Sequence, residues 1–275
     1  MKRILMIVEN KIGIDSMLKK ALRFSPESIH LHCFESLDAS GEAVGLQAIL
    51  DGIVKGQCTT ELTVESGIPA KEMGRRLEDI VTDGDFEMVI LHRVDLGKEL
   101  PDFSLIKAAM RSSTISTIFL CGDNRWNEEA RILATLDVVH DNELQVSLNK
   151  QVLKNAELLA ESLEAKIEVL SVIALSRVNT ELEIEDPSMI LKKNRGKIEA
   201  KLEEFIREVK CSAGTSVRVA AGLPSLEISI AAKKRKADIV VLGNVGRTGI
   251  KGLVVGNTAE KILNRLPADA LIVKR

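Results

Sequence analysis

The two halves of this chain repeat one another, and that repeat constrains the fold more than any single motif does. "RILMIVEN" from Arg3 returns as "RILATLDV" from Arg131, and "VESGIPAKEM" from Val64 as "VAAGLPSLEI" from Val219. "FEMVILH" from Phe86 returns as "ADIVVLG" from Ala237, and "TISTIFLC" from Thr114 as "PADALIVK" from Pro267. The matches keep their order, so the chain reads as two copies of one domain, 1–124 and 131–275. The polar, turn-rich "GDNRWNEEA" (Gly122 to Ala130) joins them. A length of 275 residues suits two domains of about 100–200 residues each.

In the second copy, short apolar runs alternate with amphipathic stretches. "RILATL" reads as a buried strand, and Leu148, Val152, Ala156 and Leu159 follow at helical spacing. "KIEVLSV", "SVRVAAG", "ADIVVLG" and "DALIVKR" supply four more strands, with helices between them, including Ile198, Leu202, Phe205, Ile206 and Val209 as an apolar stripe. Continuous Val/Ile/Leu strands separated by helices predict a parallel sheet covered on both faces. The expected fold is α/β: two tandem doubly wound five-stranded parallel sheets, each in the order 3-2-1-4-5. The first copy follows the same plan, with a shorter and less regular stretch expected from Asp38 to Cys58.

Composition narrows the function classes. A net charge of −2 gives no electrostatic support for a nucleic-acid partner, and 3% aromatics with no Tyr leave few base-stacking candidates. No apolar run reaches the ~18 residues of a membrane span, the mean hydropathy is +0.07, and "MKRILMIVEN" turns charged too early for a secretory leader. Cys33, Cys58, Cys121 and Cys211 are widely spaced, which favours reduced thiols over a disulfide framework or zinc site. The expectation is a cytoplasmic protein with no stable membrane insertion and no nucleic-acid partner.

"GNVGRTGIKGLVVGN" (Gly243 to Asn257) carries five glycines in fifteen residues, after the fourth strand and before "TAEKILNRL". It reads as a loop needing unusual dihedrals or close approach by another group. In a 3-2-1-4-5 sheet, strands 1 and 4 are neighbours whose connections leave in opposite directions, opening a crevice where ligands bind. Asp137 and Gly243 end those strands and face that crevice. Glycine amides and the helix start at Asn257/Thr258 make a phosphate cradle, while Asp137 suits a ribose or base. The bland alternative is a tight turn with Asn257 and Glu260 as helix cap and partner, and spacing alone leaves both readings open.

Gly243-x-x-Gly246, nine residues and Gly256 resemble the glycine signature of universal stress proteins, and the two linked copies resemble the tandem-domain, E-type bacterial members. The resemblance implies a cytoplasmic stress-response protein whose ATP-binding relatives hold the nucleotide at this crevice. Carried over, Asp137 and Val172 contact adenosine, and Gly243, Gly246, Gly256, Asn257 and Thr258 surround the phosphates. Arg247 and Lys251 either neutralise phosphate or solvate the loop. One departure is Asn257, where the family has Ser or Thr; Thr258 supplies a hydroxyl one position later. In relatives terminal strands pair between subunits, so the resemblance implies that "TIFLC" and "DALIVKR" pair within this chain as an intramolecular pseudo-dimer, with a further homodimer open.

The first copy departs further. Glu9 replaces Asp137, His92, Arg93 and Asp95 replace Gly243, Asn244 and Gly246, and Phe103-Ser104 falls near Gly256-Asn257. These side chains predict a degenerate first site. "KKRK" (Lys233 to Lys236) reads as the cationic end of a helix rather than a nucleic-acid patch. Asp137, His140 and Asp141 raise the question of a divalent ion, of which only Asp137 is expected to face inward. His30 and His32 alternate along one strand and share a sheet face. With no nucleophile elbow or catalytic dyad, no catalytic or metal residue is assigned. The expected function is regulatory binding of ATP or AMP, with Mg2+ as its accompanying ion, in the second domain. The alternatives are a binding protein for an apolar or lipid-like metabolite, with "AVGLQAIL" and Leu253-Val254-Val255 lining a cavity, and a slow ATPase.

Overall fold

The computed structural model describes residues 3–9, 13–35, 42–93, 104–112, 114–175, 186–212, 214–244, 261–263 and 265–274. The chain forms two compact units, the first running to Asn124 and the second starting at Arg125. In the first unit the elements are β1 (Arg3–Val8), α1 (Ile14–Leu22), β2 (Ser28–Glu35), α2 (Glu42–Val54) and β3 (Thr59–Ser66). They continue with α3 (Ala70–Gly84), β4 (Met88–His92), α4 (Ser104–Arg111) and β5 (Thr117–Cys121). The strand order is β3-β2-β1-β4-β5, all pairs parallel.

The second unit contains β6 (Arg131–Thr135), α5 (Glu143–Leu163), β7 (Lys166–Ala174), α6 (Pro187–Val209), β8 (Ser216–Gly222), α7 (Pro224–Arg235), β9 (Ile239–Asn244) and β10 (Asp269–Lys274). Its order is β8-β7-β6-β9-β10, again all parallel. Each unit therefore has the expected 3-2-1-4-5 order. The reason is visible in the strands: "RILAT", "IVVLGN" and "DALIVK" bury both faces, which only helices on each side can cover. Caps fix where those helices start. The Asn142 side chain accepts from the Gln145 amide at 3.0 Å, and Asp186 accepts from Ser188 at 2.8 Å just before Pro187. Left-handed Glu164, Lys210 and Lys236 end α5, α6 and α7. Lys236 ends the "KKRK" run, so those cations do lie at a helix C-terminus.

One expectation fails. Within the stretch from Asp38 to Cys58, the described residues from Glu42 are regular: α2 takes thirteen of them, and Leu46, Leu50 and Val54 are core residues at i, i+4, i+8. Within "AVGLQAIL", Leu46 and Leu50 are fully enclosed and line no open cavity.

His30 and His32 do share one face of β2. His32 is buried, its Nε2 3.1 Å from Glu65 Oε2, and His30 Nε2 is 3.0 Å from Thr63 Oγ1. Burial pushes both imidazoles below the ordinary value, opposed by Glu61 at His30 and by Glu65 at His32; Arg3 and Arg76 push the same way as burial. Burial also raises the Glu65 carboxyl, but Arg76, donating to both oxygens at 2.9 Å, and His32 outweigh it and hold it low. A group whose folded pKa is lowered takes up its proton more readily when unfolded. The histidine contribution is therefore complete above about pH 6.5 and falls as the pH drops through that value toward the folded pKa. Glu65 adds a second loss below about pH 4.3. Thermal melts from pH 8 to 5 are expected to show the first unit weakening below pH 6.5, and His32→Asn to flatten that slope; an unchanged slope refutes the account.

Candidate functional site

The sheet register assembles the crevice of the second unit. Thr135 lies level with Leu170 on β7 and Leu242 on β9. β6 ends there, while β7 and β9 run on: Val172 pairs with Ala220, and Asn244 with Lys274. Side chains at one level of parallel strands share a face. Asp137 follows the end of β6, Val172 lies two residues before the end of β7 and Gly243 one residue before the end of β9, while Gly246, Arg247, Lys251, Leu253-Val254-Val255, Gly256, Asn257 and Thr258 lie outside the described residues.

Asp137 is held from both sides. Asn149, buried on α5, accepts from the Asp137 amide at 3.2 Å and donates to its carbonyl at 2.7 Å; Gln145 Nε2 donates to the same Asn149 oxygen at 3.0 Å. Asn149 so replaces the ladder partners that Asp137 loses where β6 ends. The Asp137 carboxylate is half-exposed. Its Oδ1 accepts from the amides of Val139 and His140 at 3.1 and 3.2 Å, and its Oδ2 is 2.8 Å from His140 Nδ1. Each oxygen of an ionised carboxylate has two acceptor positions, so Oδ2 keeps one for a guest. Asn149 escaped the sequence reading, although a lone amide one residue after Leu148 in an apolar stripe is a visible signal.

Gly243 lies in β9 as expected, and the strand runs one residue further than expected, to Asn244. The bare Cα of Gly243 faces α5: a Cβ there would lie 2.9 Å from Leu148 Cδ2 and 3.3 Å from Val152 Cγ2. Helix packing, rather than a guest, is what requires glycine at this position. Asn244 points to the other face, is only 4% exposed, and its Nδ2 makes no hydrogen bond among the described residues. Such an orphaned donor costs about 1–3 kcal/mol unless something accepts from it.

The remaining candidates separate. His140 and Asp141 are largely exposed, and Asp141 is 3.7 Å from Lys201, whose Nζ donates to the Val138 carbonyl at 3.2 Å. Among the described residues no group of three or more His, Cys, Asp or Glu is arranged to hold a metal. Burial and Glu157 push the Cys211 thiol up to about 11, so it offers no thiolate near neutral pH.

In the first unit a side chain stands at the corresponding strand end. His92, at the end of β4, packs its ring over Gly13, the left-handed residue (φ 77°) that precedes α1. A Cβ on Gly13 would be 2.1 Å from His92 Nε2, which itself lies 3.0 Å from Asp123 Oδ1. Glu9 is exposed, and the Arg93 amide donates to the Cys121 carbonyl at 2.7 Å. Asp95 and Phe103 lie outside the described residues.

The model of the universal stress protein family matches residues 138–274. The C-terminal domain belongs to that family. Universal stress protein E of Escherichia coli strain K12 is 28% identical over 162 residues, covering 58% of this chain and 51% of that protein. The Salmonella typhi protein of the same name is 28% identical over 166 residues, so the match spans about half the length of these curated relatives. A solved protein of unknown function from Pseudomonas aeruginosa superposes with a TM-score of 0.74 at 18% identity, over 99% of this chain and 92% of the other. A universal stress protein from Archaeoglobus fulgidus gives 0.65 at 13% identity, over 98% of each chain. These structural likenesses establish the fold of this chain. No helix among its described residues is long and apolar enough to cross a membrane.

Proposed function

We propose that this C-terminal universal stress protein domain binds one adenine nucleotide, ATP or AMP, as a regulatory signal in a cytoplasmic stress response. The observation that carries this reading is Asn244: a buried amide donor with no acceptor among the described residues, at the end of β9, the strand beside the one that leads to the half-exposed Asp137. A polar guest there satisfies the donor, and the remaining acceptor position of Asp137 takes a ribose hydroxyl. Gly246, Gly256, Asn257, Thr258 and Arg247 receive the phosphates, with Mg2+ alongside a triphosphate. Isothermal titration of the full chain should give one nucleotide per chain. Asp137→Ala and Asn244→Ala should each weaken it about tenfold, the worth of one good hydrogen bond to a charged or buried group. No binding at millimolar nucleotide, or two equivalents per chain, overturns the proposal.

A second reading, an apolar or lipid-like ligand, draws on the rim of this domain. Val139, Leu144, Met189 and Leu226 are large, exposed and lie at or just before the starts of α5, α6 and α7, at the same end of the sheet. Mass spectrometry of small molecules retained by the purified protein separates the two, and ADP accumulation in the same samples reports slow hydrolysis.

A further inference from the structure

On the far side of the second sheet from β9, a cavity of about 260 Å³ opens between the edge strand β8 and α7. Its volume is below the range typical of drug-sized sites, which suits a small metabolite. Leu170, Val219 and Ala220 form the sheet wall, and Ile230 and Ala231 the helix wall. The two ends of the helix wall carry opposite charges. Glu227 and Lys234 both line the cavity and are seven residues apart, two helical turns or about 10.5 Å along the axis. The Glu227 carboxylate lies against Gly222, where an added Cβ would be 2.9 Å from its Oε1. Burial raises its pKa, and Lys234 lowers it through space. Among the described residues no ion pair or hydrogen bond engages either side chain. The neighbouring cations are already occupied: Glu168 receives Arg218 on one oxygen and Arg235 at 3.2 Å on the other.

A carboxylate, an aliphatic floor and an ammonium in one line, with the charges unbridged, form a template. We propose that this cavity binds a small zwitterion with an aliphatic middle, its ammonium against Glu227 and its carboxylate against Lys234. A single-charged ligand of the same length leaves one protein charge unmet, whereas the zwitterion meets both and lays its methylenes on Ile230 and Ala231.

The probe is 5-aminopentanoate, compared with pentanoate and pentylamine, with the Ile230 and Ala231 methyl resonances of the full chain followed by NMR. The zwitterion should bind at least about fivefold more tightly than either comparator, a margin suited to partly exposed charge contacts. Glu227→Gln should remove the advantage over pentanoate and leave pentanoate unchanged; Lys234→Met should do the reverse with pentylamine. Equal affinities for the three probes in the unaltered protein, or no methyl shifts up to tens of millimolar, overturn the site whatever the variants do.

Discussion

Replacing Asp238 by Ala is expected to cost the C-terminal domain about 4 kcal/mol, lowering its melting temperature by about 12 °C. Asp238 is buried before β9, and its carboxylate accepts three hydrogen bonds of 2.9 Å: Asn127 N and Asn127 Nδ2 on Oδ1, and Arg131 N on Oδ2. Its backbone continues the sheet, donating to the Arg131 carbonyl and accepting from Asp269. Asp269, also buried, accepts from Trp126 Nε1 at 2.7 Å. Two carboxylates therefore fasten the segment after Arg125 to the start of the second sheet. Each charge-assisted bond is worth about 1.5–3 kcal/mol, and losses within one network do not add fully. Asp238→Asn should cost roughly half as much, because its oxygen still serves Asn127 while its NH2 faces the Arg131 donor. Trp126 is the chain's single tryptophan, so its fluorescence reports this transition directly. A loss below about 1 kcal/mol for the alanine variant contradicts the account.

The architecture was legible because its signals are local and repeated: buried strands announce themselves as Val/Ile/Leu runs, and two copies in the same order leave little freedom of topology. α2 was not legible. Gly45, Gly52 and the Asp-Ala-Ser-Gly stretch before it dilute the helical pattern, and only tertiary packing shows Leu46, Leu50 and Val54 to be core. The places of Asp137 and Gly243 at neighbouring strand ends follow from topology alone, whereas Val172 comes only from the family resemblance. The role of Gly243 was not legible, because glycine serves equally for close helix packing and for ligand approach, and sequence does not say which face its Cα presents. Asn149 acts through backbone atoms of Asp137 that become unpaired only when β6 ends, a fact no spacing rule encodes. The contact of His92 with Gly13 joins residues from two different βα connections, so only the folded chain shows that this ring fills the space above Gly13.

That contact leads to the second large effect. Gly13→Ala is expected to destabilise the N-terminal domain by about 3 kcal/mol, from two separable causes. At φ 77° a side chain costs about 1–2 kcal/mol by itself, and the new methyl must also displace the His92 ring and its 3.0 Å contact with Asp123. Removing the ring isolates the second cause: in a His92→Gly background the same Gly13→Ala change should cost only the backbone share. The double-mutant cycle should then return a coupling of about 1.5 kcal/mol. Additive losses would show that His92 does not fill the space above Gly13. The cycle also bears on function. If bulk alone closed the first crevice, His92→Gly would create a second nucleotide site. Glu9 still stands where the second domain has Asp137 and adds a negative charge that disfavours phosphate, so the His92→Gly protein should continue to bind one nucleotide per chain. A second equivalent would mean that the ring is the whole difference between the two domains.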